Sequence, residues 1–542
     1  MIFRALTSFL IASACTLPSC ADDTAPLFQN DRFAVYPDRF ESRDFYPGIW
    51  RVNGATITKN GDSAYHLPTP PPGKLSLQTP YPILDATFAY AIADCYTVRA
   101  EAGTASQMLS GDVPGGPYYF PYFYYTHGRD VREYTRDTAQ HVEWGDSVIL
   151  DVSTVRGTII RRCNFEKQVI REDAVITADS VALITSTWEY YKITGDKSLL
   201  TLTWGCFWNT IHFKQRAMKQ PDGLWVGAPW SDNPTGFVVA QDFRARNKNV
   251  ESLYGNVVAA GAWQSLANIA RVLGKTTEAT ACETAYRDLK SAINNTLYRP
   301  EFNNYAYYKL GDKFYDYRED ITTAMLNLYG IADETRTAAY HATFKATPYG
   351  YRNVDPELID SSENLGRRGR VSGGDTYHGG NVWADQEGYH AWAVSLLKKP
   401  ADLAPFLFWN LRAGLVAGQW REGTRFIGTG ELHSTYKRMI WAAMAYVATW
   451  SRGLFGISYA EDGVRFAPCV PTQFGPDFYA VLNHFTYRGA NIRVAVIGTG
   501  TEIKRLLLDG KPVEVIPPDL TGTHEVVIEM KGHANVKLPA SI

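Results

Sequence analysis

Residues 177–218 read TADSVALITSTWEYYKITGDKSLLTLTWGCFWNTIHFKQRAM, and this stretch decides the fold class. Apolar residues recur at helical spacing on both sides of Thr194-Gly195-Asp196, which is a stop signal between two periodic runs. We therefore predict one helix over 177–193, a second over 197–218, and a tight turn between them. Two helices joined by so short a turn form a helical hairpin.

The same rhythm continues along most of the chain. From about Pro82 the apolar residues follow the 3.6-residue period, and Leu273-Gly274-Lys275 is another stop signal. Short turns alternate with long loops that are rich in aromatic residues. This alternation predicts a mainly α fold, an (α/α)6 toroid of helical hairpins. A helical repeat solenoid is the competing architecture, but the chain has no repeat of fixed length. The further predicted helical stretches are 130–162, 249–273, 276–297, 319–330, 333–346, 388–398, 401–416 and 434–452.

Outside this helical region the period becomes 2. The segment that begins at Gly48 alternates apolar and polar residues, and Leu67–Gly73 (LPTPPPG) has the composition of a linker. Near the C-terminus Ile492–Ile497 alternates in the same way, and Leu508-Asp-Gly510 is a turn signal. The predicted units are a signal peptide at 1–21, a short N-terminal β-like segment and linker at 22–80, the barrel at 81–455, and a small C-terminal antiparallel β-domain at 456–542.

The first residues are typical of an exported protein. One basic residue, Arg4, precedes an apolar run that ends at small residues and is too short to span a bilayer. Cleavage after Ala21 predicts a periplasmic or extracellular protein. The alternative is a lipobox at Leu17-Pro18-Ser19-Cys20, with the protein anchored through a lipid on Cys20. No later run predicts a transmembrane segment, because Met439–Trp450 is short and reads as a buried helix.

Composition excludes several classes of protein. The 542 residues contain 54 Lys+Arg and 56 Asp+Glu, so no basic field exists to hold nucleic acid. The motifs of serine hydrolases, P-loop proteins, zinc proteases and dinucleotide-binding folds are absent from the sequence, and we expect neither a cofactor nor a metal. Aromatic residues reach 13%, and their flat faces suit sugar rings. This content is only a hint of an oligosaccharide or polysaccharide partner, because large helical enzymes also use aromatic residues for packing, and the oligomeric state stays open.

The first loop with candidate chemistry is DGLWVGAPWSDNPTG at 222–236. In this loop Asp232 lies between Trp230 and Pro234, and apolar neighbours raise the pKa of a carboxyl group. A general acid that protonates a leaving oxygen needs such a raised pKa. A turn aspartate that caps a helix is the competing interpretation.

The second loop is QWREGTRFIGTGE at 419–431. It holds two carboxylates, Glu422 and Glu431, beside Trp420 and Arg421. A general base that activates water must stay ionised, and nearby guanidinium groups favour the ionised form. The competing interpretation is an ordinary Arg–Glu pair at the surface.

Two more segments offer polar side chains for a hydroxylated ligand. Tyr377-His378-Gly-Gly-Asn-Val-Trp383 places a histidine among glycines that allow a ligand to approach closely. Tyr134-Thr-Arg136-Asp137 brings an Arg-Asp pair to a predicted helix start. A structural histidine and a helix cap are the competing interpretations.

At these four loops the chain resembles the six-hairpin glycosidases, a superfamily that includes trehalase, glucoamylase, processing α-glucosidase I, glycogen-debranching enzymes and α-L-rhamnosidases. Trp230-Ser-Asp-Asn-Pro234 resembles the acid loop of the processing-glucosidase group. Tyr377–Trp383 resembles a motif of debranching-type enzymes, with Gly and Asn exchanged in order. Thr135-Arg-Asp137 resembles a substrate-binding motif. The resemblance covers roughly residues 80–542, and no single family fits throughout.

The resemblance implies an exo-acting, inverting glycoside hydrolase. It makes Asp232 the general acid and places a base in the 419–431 loop, for which we favour Glu422 over Glu431. Two carboxylates of this kind perform glycoside hydrolysis. The implied substrate-binding residues are Arg136, Asp137, Trp230, Asn233, Tyr377, His378, Trp383, Trp420 and Arg421. The alternatives are a sugar phosphorylase, a polysaccharide lyase, or a non-catalytic glycan-binding protein.

Overall fold

The computed structural model describes most of the chain as helices and small sheets. The described residues are 25–54, 56–97, 135–149, 151–171, 179–227, 250–356, 381–418, 420–421, 423–426, 428–432 and 440–540. The residues predicted as a signal peptide, including Cys20, lie outside these ranges.

Twelve helices of seven residues or more lie in the described part of the chain. They are α1 (Pro82–Thr97), α2 (Thr135–Trp144), α3 (Val152–Arg161), α4 (Asp179–Thr194), α5 (Lys197–Met218), α6 (Leu253–Val272), α7 (Thr276–Ala292), α8 (Thr322–Leu328), α9 (Glu334–His341), α10 (Ala384–Leu396), α11 (Pro400–Ala417) and α12 (Ile440–Ala448). The predicted stretch 130–162 is therefore two helices. They are separated by Gly145, which has φ +118°, and by the single turn Asp146–Ile149.

The hairpin predicted from 177–218 is confirmed as α4 and α5. Gly195 ends α4 with φ +73°, a left-handed conformation that glycine adopts without strain. The side chain of Asp196 then accepts a hydrogen bond from the Leu199 backbone N–H and caps α5.

The even-numbered helices pack in a continuous order. Helix α2 contacts α4, and the contacts continue through α6, α8, α10 and α12, which contacts α2 again. Each odd-numbered helix packs against one or two even-numbered ones. The pair α6 and α7 differs in burial: 16 of the 20 residues of α6 are buried, whereas only 4 of the 17 residues of α7 are. A helix buried on all sides belongs to an inner layer, and a helix buried along one stripe belongs to an outer layer.

A six-stranded antiparallel meander precedes the helices. Its strands are Phe28–Gln29, Phe33–Val35, Arg39–Ser42, Gly48–Asn53, Thr56–Lys59 and Asp62–His66. Phe33, Phe40 and Trp50 form its buried aromatic core, with ring centroids 5.4 and 5.5 Å apart.

A second six-stranded sheet follows the helices and differs from the prediction of an antiparallel domain. Strands Ala490–Ile497 and Gly522–Gly532 pair in parallel, while the other pairs are antiparallel. Strand Thr499–Leu508 pairs with the far side of Gly522–Gly532, so the chain crosses over before it returns. Strand Ser76–Gln78, which precedes α1, adds to the edge at Tyr479–Tyr487. The strand order is Lys511–Pro512, Thr499–Leu508, Gly522–Gly532, Ala490–Ile497, Tyr479–Tyr487 and Ser76–Gln78.

Shorter strand pairs lie outside these two sheets. They are Cys163–Asn164 with Val169–Ile170, Val250–Ser252 with Tyr308–Leu310 and Lys313–Tyr315, Tyr298–Arg299 with Asn304–Tyr305, Arg318–Glu319 with Val354–Asp355, Ala346–Thr347 with Gly350–Tyr351, Val382–Trp383 with Gly423–Phe426 and Glu431–Leu432, and Ile457–Ala460 with Gly463–Phe466.

The buried tryptophans include those that the sequence places in helical runs. Trp188, Trp263, Trp441 and Trp450 are all 7% exposed or less and pack in the interior. The helix predicted near Met439–Trp450 is α12, and its described residues are buried. Across the described ranges, no helix has both the length and the apolar character that crossing a bilayer requires.

Candidate functional site

The connections between helices differ in length according to the helix that they enter. A connection that leaves an even-numbered helix is short: α4 ends at Thr194 and α5 begins at Lys197. A connection that enters an even-numbered helix is long: α5 ends at Met218 and α6 begins at Leu253. Every predicted site residue lies in one of these long connections or in the first turn of the even-numbered helix that follows it.

Hydrogen bonds join neighbouring long connections to one another. Strand Val250–Ser252 pairs with Tyr308–Leu310, which joins the connections that enter α6 and α8. Arg318–Glu319 pairs with Val354–Asp355, and Val382–Trp383 pairs with residues 423–424. These pairings join the connections that enter α8, α10 and α12. The Asn353 N–H also donates to the Asn381 carbonyl at 2.9 Å, which links the two strand pairs. The connections that enter α6, α8, α10 and α12 therefore lie together at one end of the inner helices.

The connection that contains the predicted general acid is held by hydrogen bonds and ion pairs at both of its ends. Trp230, Asp232 and Asn233 lie outside the described residues, but the segment that contains them begins and ends in described structure. The Gly227 N–H donates to the Val250 carbonyl at 2.7 Å. The ammonium of Lys309 lies 2.5 Å from a carboxylate oxygen of Asp222 and 2.6 Å from one of Glu251. Burial raises the pKa of Glu251, and the Lys309 ammonium opposes this rise.

Trp383 packs inside the protein. Tyr377 and His378, from the same motif, lie outside the described residues. Trp383 is 3% exposed, and its ring stacks on that of Trp441 with centroids 5.8 Å apart and planes 7° apart. It pairs with Gly423, where an added Cβ would meet the Val382 carbonyl oxygen. The glycine next to Glu422 therefore permits the close approach of these two strands.

Trp420, which the resemblance implies as a substrate-binding residue, is fully buried. Its ring packs against Tyr90 and Tyr446, with centroids 5.9 and 5.2 Å apart. It also lies over Gly414, where a Cβ would come within 2.9 Å of the indole. The ring is enclosed like that of a core residue.

Of the two predicted bases, the structure describes Glu431. Glu431 is half-buried at the start of a two-residue strand and pairs with Phe426. Its backbone N–H lies 3.4 Å from the Thr429 hydroxyl. Glu422 lies outside the described residues, between the half-buried Arg421 and Gly423.

Arg136 and Asp137 lie in the first turn of α2, and their side chains are outside the described part of the chain. The hydroxyl of the preceding Thr135 donates to the Arg171 carbonyl at 3.2 Å, which joins this turn to the connection that enters α4.

A row of four titratable side chains in contact, of which three are buried, was missed in the sequence. Asp320, just before α8, contacts His390 Nδ1 of α10, and His390 Nε2 meets His341 Nδ1 of α9. His341 Nε2 lies 3.5 Å from Asp402, which is 44% exposed. Burial raises the pKa of Asp320 well above its usual value and lowers the pKa of His390 to about 3. His390 is therefore neutral near pH 7, and burial favours the protonated form of Asp320. The sequence around His390 gives no signal for this arrangement, because the other three side chains lie 12 to 70 residues away from it.

A second buried cluster lies among the even-numbered helices. The carboxylate of Glu143 on α2 accepts hydrogen bonds from Tyr329, which follows α8, at 2.8 Å, and from Tyr389 on α10, at 2.6 Å. Gly261 of α6 gives Tyr329 its space, because a Cβ there would lie 2.6 Å from the ring. Since α8 and α10 are not packing neighbours of α2 in the helix order, Glu143 ties together helices across the inner layer.

The titration of Glu143 predicts a pH-dependent stability. Burial is the main cause that raises its pKa, to about 7. The folded state therefore binds more protons than the unfolded state between about pH 4.5 and pH 7, and stability is lost as the pH rises through this window. Relative to Glu143→Gln, the wild-type free energy of unfolding is expected to fall by about 2 kcal/mol between pH 5 and pH 8. Urea unfolding at several pH values measures the difference. Glu461→Gln, in an exposed turn, is the control and should follow the wild-type pH dependence; a parallel pH profile for Glu143→Gln would contradict the assignment.

Comparison with known proteins gives matches in structure only. No protein-family model matches the chain, and no curated protein matches it in sequence. Among solved structures, a sialidase is similar with a TM-score of 0.59 and 15% identity, over 82% of this chain and 40% of that one. A GH78 family rhamnosidase of Bacillus sp. GL1 is similar with a TM-score of 0.53 and 15% identity, over 90% of this chain and 47% of that one. A GH63 mannosylglycerate hydrolase from Thermus thermophilus gives a TM-score of 0.48 and 13% identity, over 67% of this chain and 99% of that one.

These identities show likeness of fold alone. The resemblance to glycosidases that the sequence indicates is thus confirmed at the level of structure. The chain spans less than half the length of the sialidase and of the rhamnosidase that it matches.

Proposed function

We propose that this protein is a glycoside hydrolase whose helices close into an (α/α)6 toroid. The observation that supports the proposal is the position of the candidate carboxylates. All three lie in long connections that enter the inner helices, and strand pairing joins several of these connections. Ligand sites form in loops carried by a rigid scaffold, and convergence of loops from distant parts of the chain is the arrangement that catalysis requires. The fold likeness to a sialidase and a rhamnosidase supports the same activity.

In the proposed mechanism Asp232 donates its proton to the glycosidic oxygen, and the bond from that oxygen to the anomeric carbon breaks. Glu422, with Glu431 as its rival, takes a proton from a water that attacks the opposite face of the sugar. The anomeric configuration is therefore inverted, and the two carboxyl groups are expected about 6.5–9.5 Å apart. Arg136, Asp137, Asn233, Tyr377, His378 and Arg421 are proposed to bind the hydroxyl groups, and Trp230 to contact the sugar ring. Cleavage is proposed to occur at a chain end, in an exported protein that carries a cleaved signal peptide or a lipid on Cys20.

The experiment is a screen of p-nitrophenyl glycosides and natural oligosaccharides that includes α-L-rhamnosides and sialosides. We expect release of free sugar without added phosphate, and proton NMR of the first product should show the inverted anomer. Activity that depends on phosphate would identify a phosphorylase, and an unsaturated product absorbing in the ultraviolet would identify a lyase. Sugar binding without turnover on any glycoside would identify a glycan-binding protein. Retention of the anomeric configuration would contradict the inverting mechanism.

A further inference from the structure

The N-terminal sheet reaches one of the long connections. The tip of the hairpin between Arg39–Ser42 and Gly48–Asn53, residues 43–47, lies against the turn at 428–430. The Phe45 N–H donates to the Thr429 carbonyl at 2.9 Å, and the Leu432 N–H donates to the Tyr46 hydroxyl at 3.2 Å. Thr429 precedes Glu431 by two residues, which span at most about 7 Å. The hairpin tip therefore lies beside a candidate catalytic base.

This tip is held rigidly by a buried carboxylate. One oxygen of Asp44 accepts from the Ser42 hydroxyl at 2.7 Å and from the Tyr46 N–H at 2.8 Å. Its other oxygen accepts from Arg412 Nε at 2.7 Å. Arg412 also donates to the Gly430 carbonyl at 2.5 Å. The side chains of Asp44 and Arg412 are 0% and 1% exposed, so one ion pair fixes the hairpin tip to both α11 and the turn before Glu431.

Phe45 leaves its ring exposed on this rigid tip. Its relative exposure is 52%, although the side chain of Asp44 before it is fully buried and Tyr46 after it is half-buried. The ring meets Tyr46 edge to face, with centroids 5.0 Å apart and planes 76° apart. A phenylalanine kept in water forgoes roughly 1.5–3 kcal/mol of burial. An aromatic ring whose backbone is fixed can bind a ligand with little loss of conformational entropy.

We propose that Phe45 is a binding platform for a sugar unit next to the one that is cleaved. The C–H faces of a pyranose ring are apolar and pack on an aromatic ring. Because Phe45 is hydrogen-bonded to Thr429, two residues before Glu431, a platform there would contact the substrate chain outside the reacting unit. The N-terminal sheet would thereby favour longer oligosaccharides over short ones. The proposed hydrolase activity does not specify such a preference. This inference rests on the proposed function.

The test compares Phe45→Ala with Phe213→Ala, which removes an equally exposed ring (56%) from the outer helix α5. Substrates are the p-nitrophenyl glycoside that the wild type cleaves best and the di- to hexasaccharides of the same sugar. For Phe45→Ala we expect a KM that rises about 5- to 20-fold on the hexasaccharide, as loss of one aromatic contact predicts. The rise should be much smaller on the p-nitrophenyl glycoside. Phe45→Trp should restore most of the affinity, and Phe213→Ala should match the wild type throughout.

The outcomes separate this inference from the proposed function. If the wild type hydrolyses glycosides and Phe45→Ala shows no effect that depends on chain length, the platform is overturned and the hydrolase stands. If the wild type cleaves nothing, titration calorimetry with malto-, cello-, xylo- and chitohexaose replaces the assay. Binding that Phe45→Ala weakens would then support the platform and overturn the hydrolase. Absence of binding to all four would overturn both. Melting temperatures check folding, and the exposed ring predicts no change for either alanine variant.

Discussion

Replacement of Asp232 by asparagine is expected to lower kcat on natural glycosides about 10²- to 10⁴-fold, the contribution typical of a general acid. The glycosidic oxygen of a natural substrate leaves as a poor anion unless it receives a proton. Asparagine keeps the shape of the side chain and removes the proton. KM is expected to change little, since the proton is transferred only in the transition state.

A substrate whose leaving group needs no proton separates the acid from the base. On the corresponding glycosyl fluoride, Asp232→Asn should recover much of the wild-type rate, because fluoride departs without general acid help. The glutamine variant of the true base, Glu422→Gln or Glu431→Gln, should stay slow on both the natural glycoside and the fluoride, because the attacking water still needs activation. Glu422→Gln and Glu431→Gln are compared directly, and each serves as the control for the other. If Asp232→Asn and both glutamine variants keep wild-type turnover, the carboxylate assignment is wrong.

Breaking the buried ion pair between Asp44 and Arg412 is expected to produce the largest loss of stability. Asp44→Asn leaves the Arg412 guanidinium buried without a counter-charge, and such a change typically costs about 3–5 kcal/mol. The N-terminal hairpin tip and the turn at 428–430 should loosen together, because both are bonded to this pair. Urea unfolding gives the free energy, and hydrogen exchange of the Phe45 amide reports the loosening directly.

The matched control is Asp462→Asn, in an exposed pair with Arg465 whose N–O distances are 2.6 and 2.8 Å. It should leave the melting temperature unchanged, because solvent screens an exposed pair. The double variant Asp44→Asn/Arg412→Met should recover part of the stability, since no uncompensated charge remains. A loss in Asp44→Asn no larger than in the control would show that the pair does not secure the hairpin.

Helices and hairpins were predictable because their signals are local. The α4–α5 hairpin follows from apolar spacing within two turns of helix and from Gly195-Asp196, a turn and a cap in consecutive residues. The burial of Trp188, Trp263, Trp441 and Trp450 agrees with the same periodicity. For the site, sequence patterns select the loops, and all of them prove to be long connections into even-numbered helices. The roles of Asp232 and Glu422 stay predictions, since both residues lie outside the described ranges.

Other features depend on which segments meet, and no local pattern carries that information. Trp420 sits in a glycine-rich loop like a ligand-binding residue, yet Tyr90, from a helix more than 300 residues earlier, encloses it. The parallel pairing of Ala490–Ile497 with Gly522–Gly532 uses the same alternation as an antiparallel pair, so only the crossover of Thr499–Leu508 distinguishes the two. Asp320 and His390 become a buried pair, and Asp44 reaches Arg412 across 368 positions. Periodicity and turn chemistry thus determine the helical hairpins and the loops that carry candidate carboxylates. Burial, charge pairing and the seating of Phe45 beside Glu431 arise only when distant segments exclude water together, because desolvation depends on the whole set of neighbours.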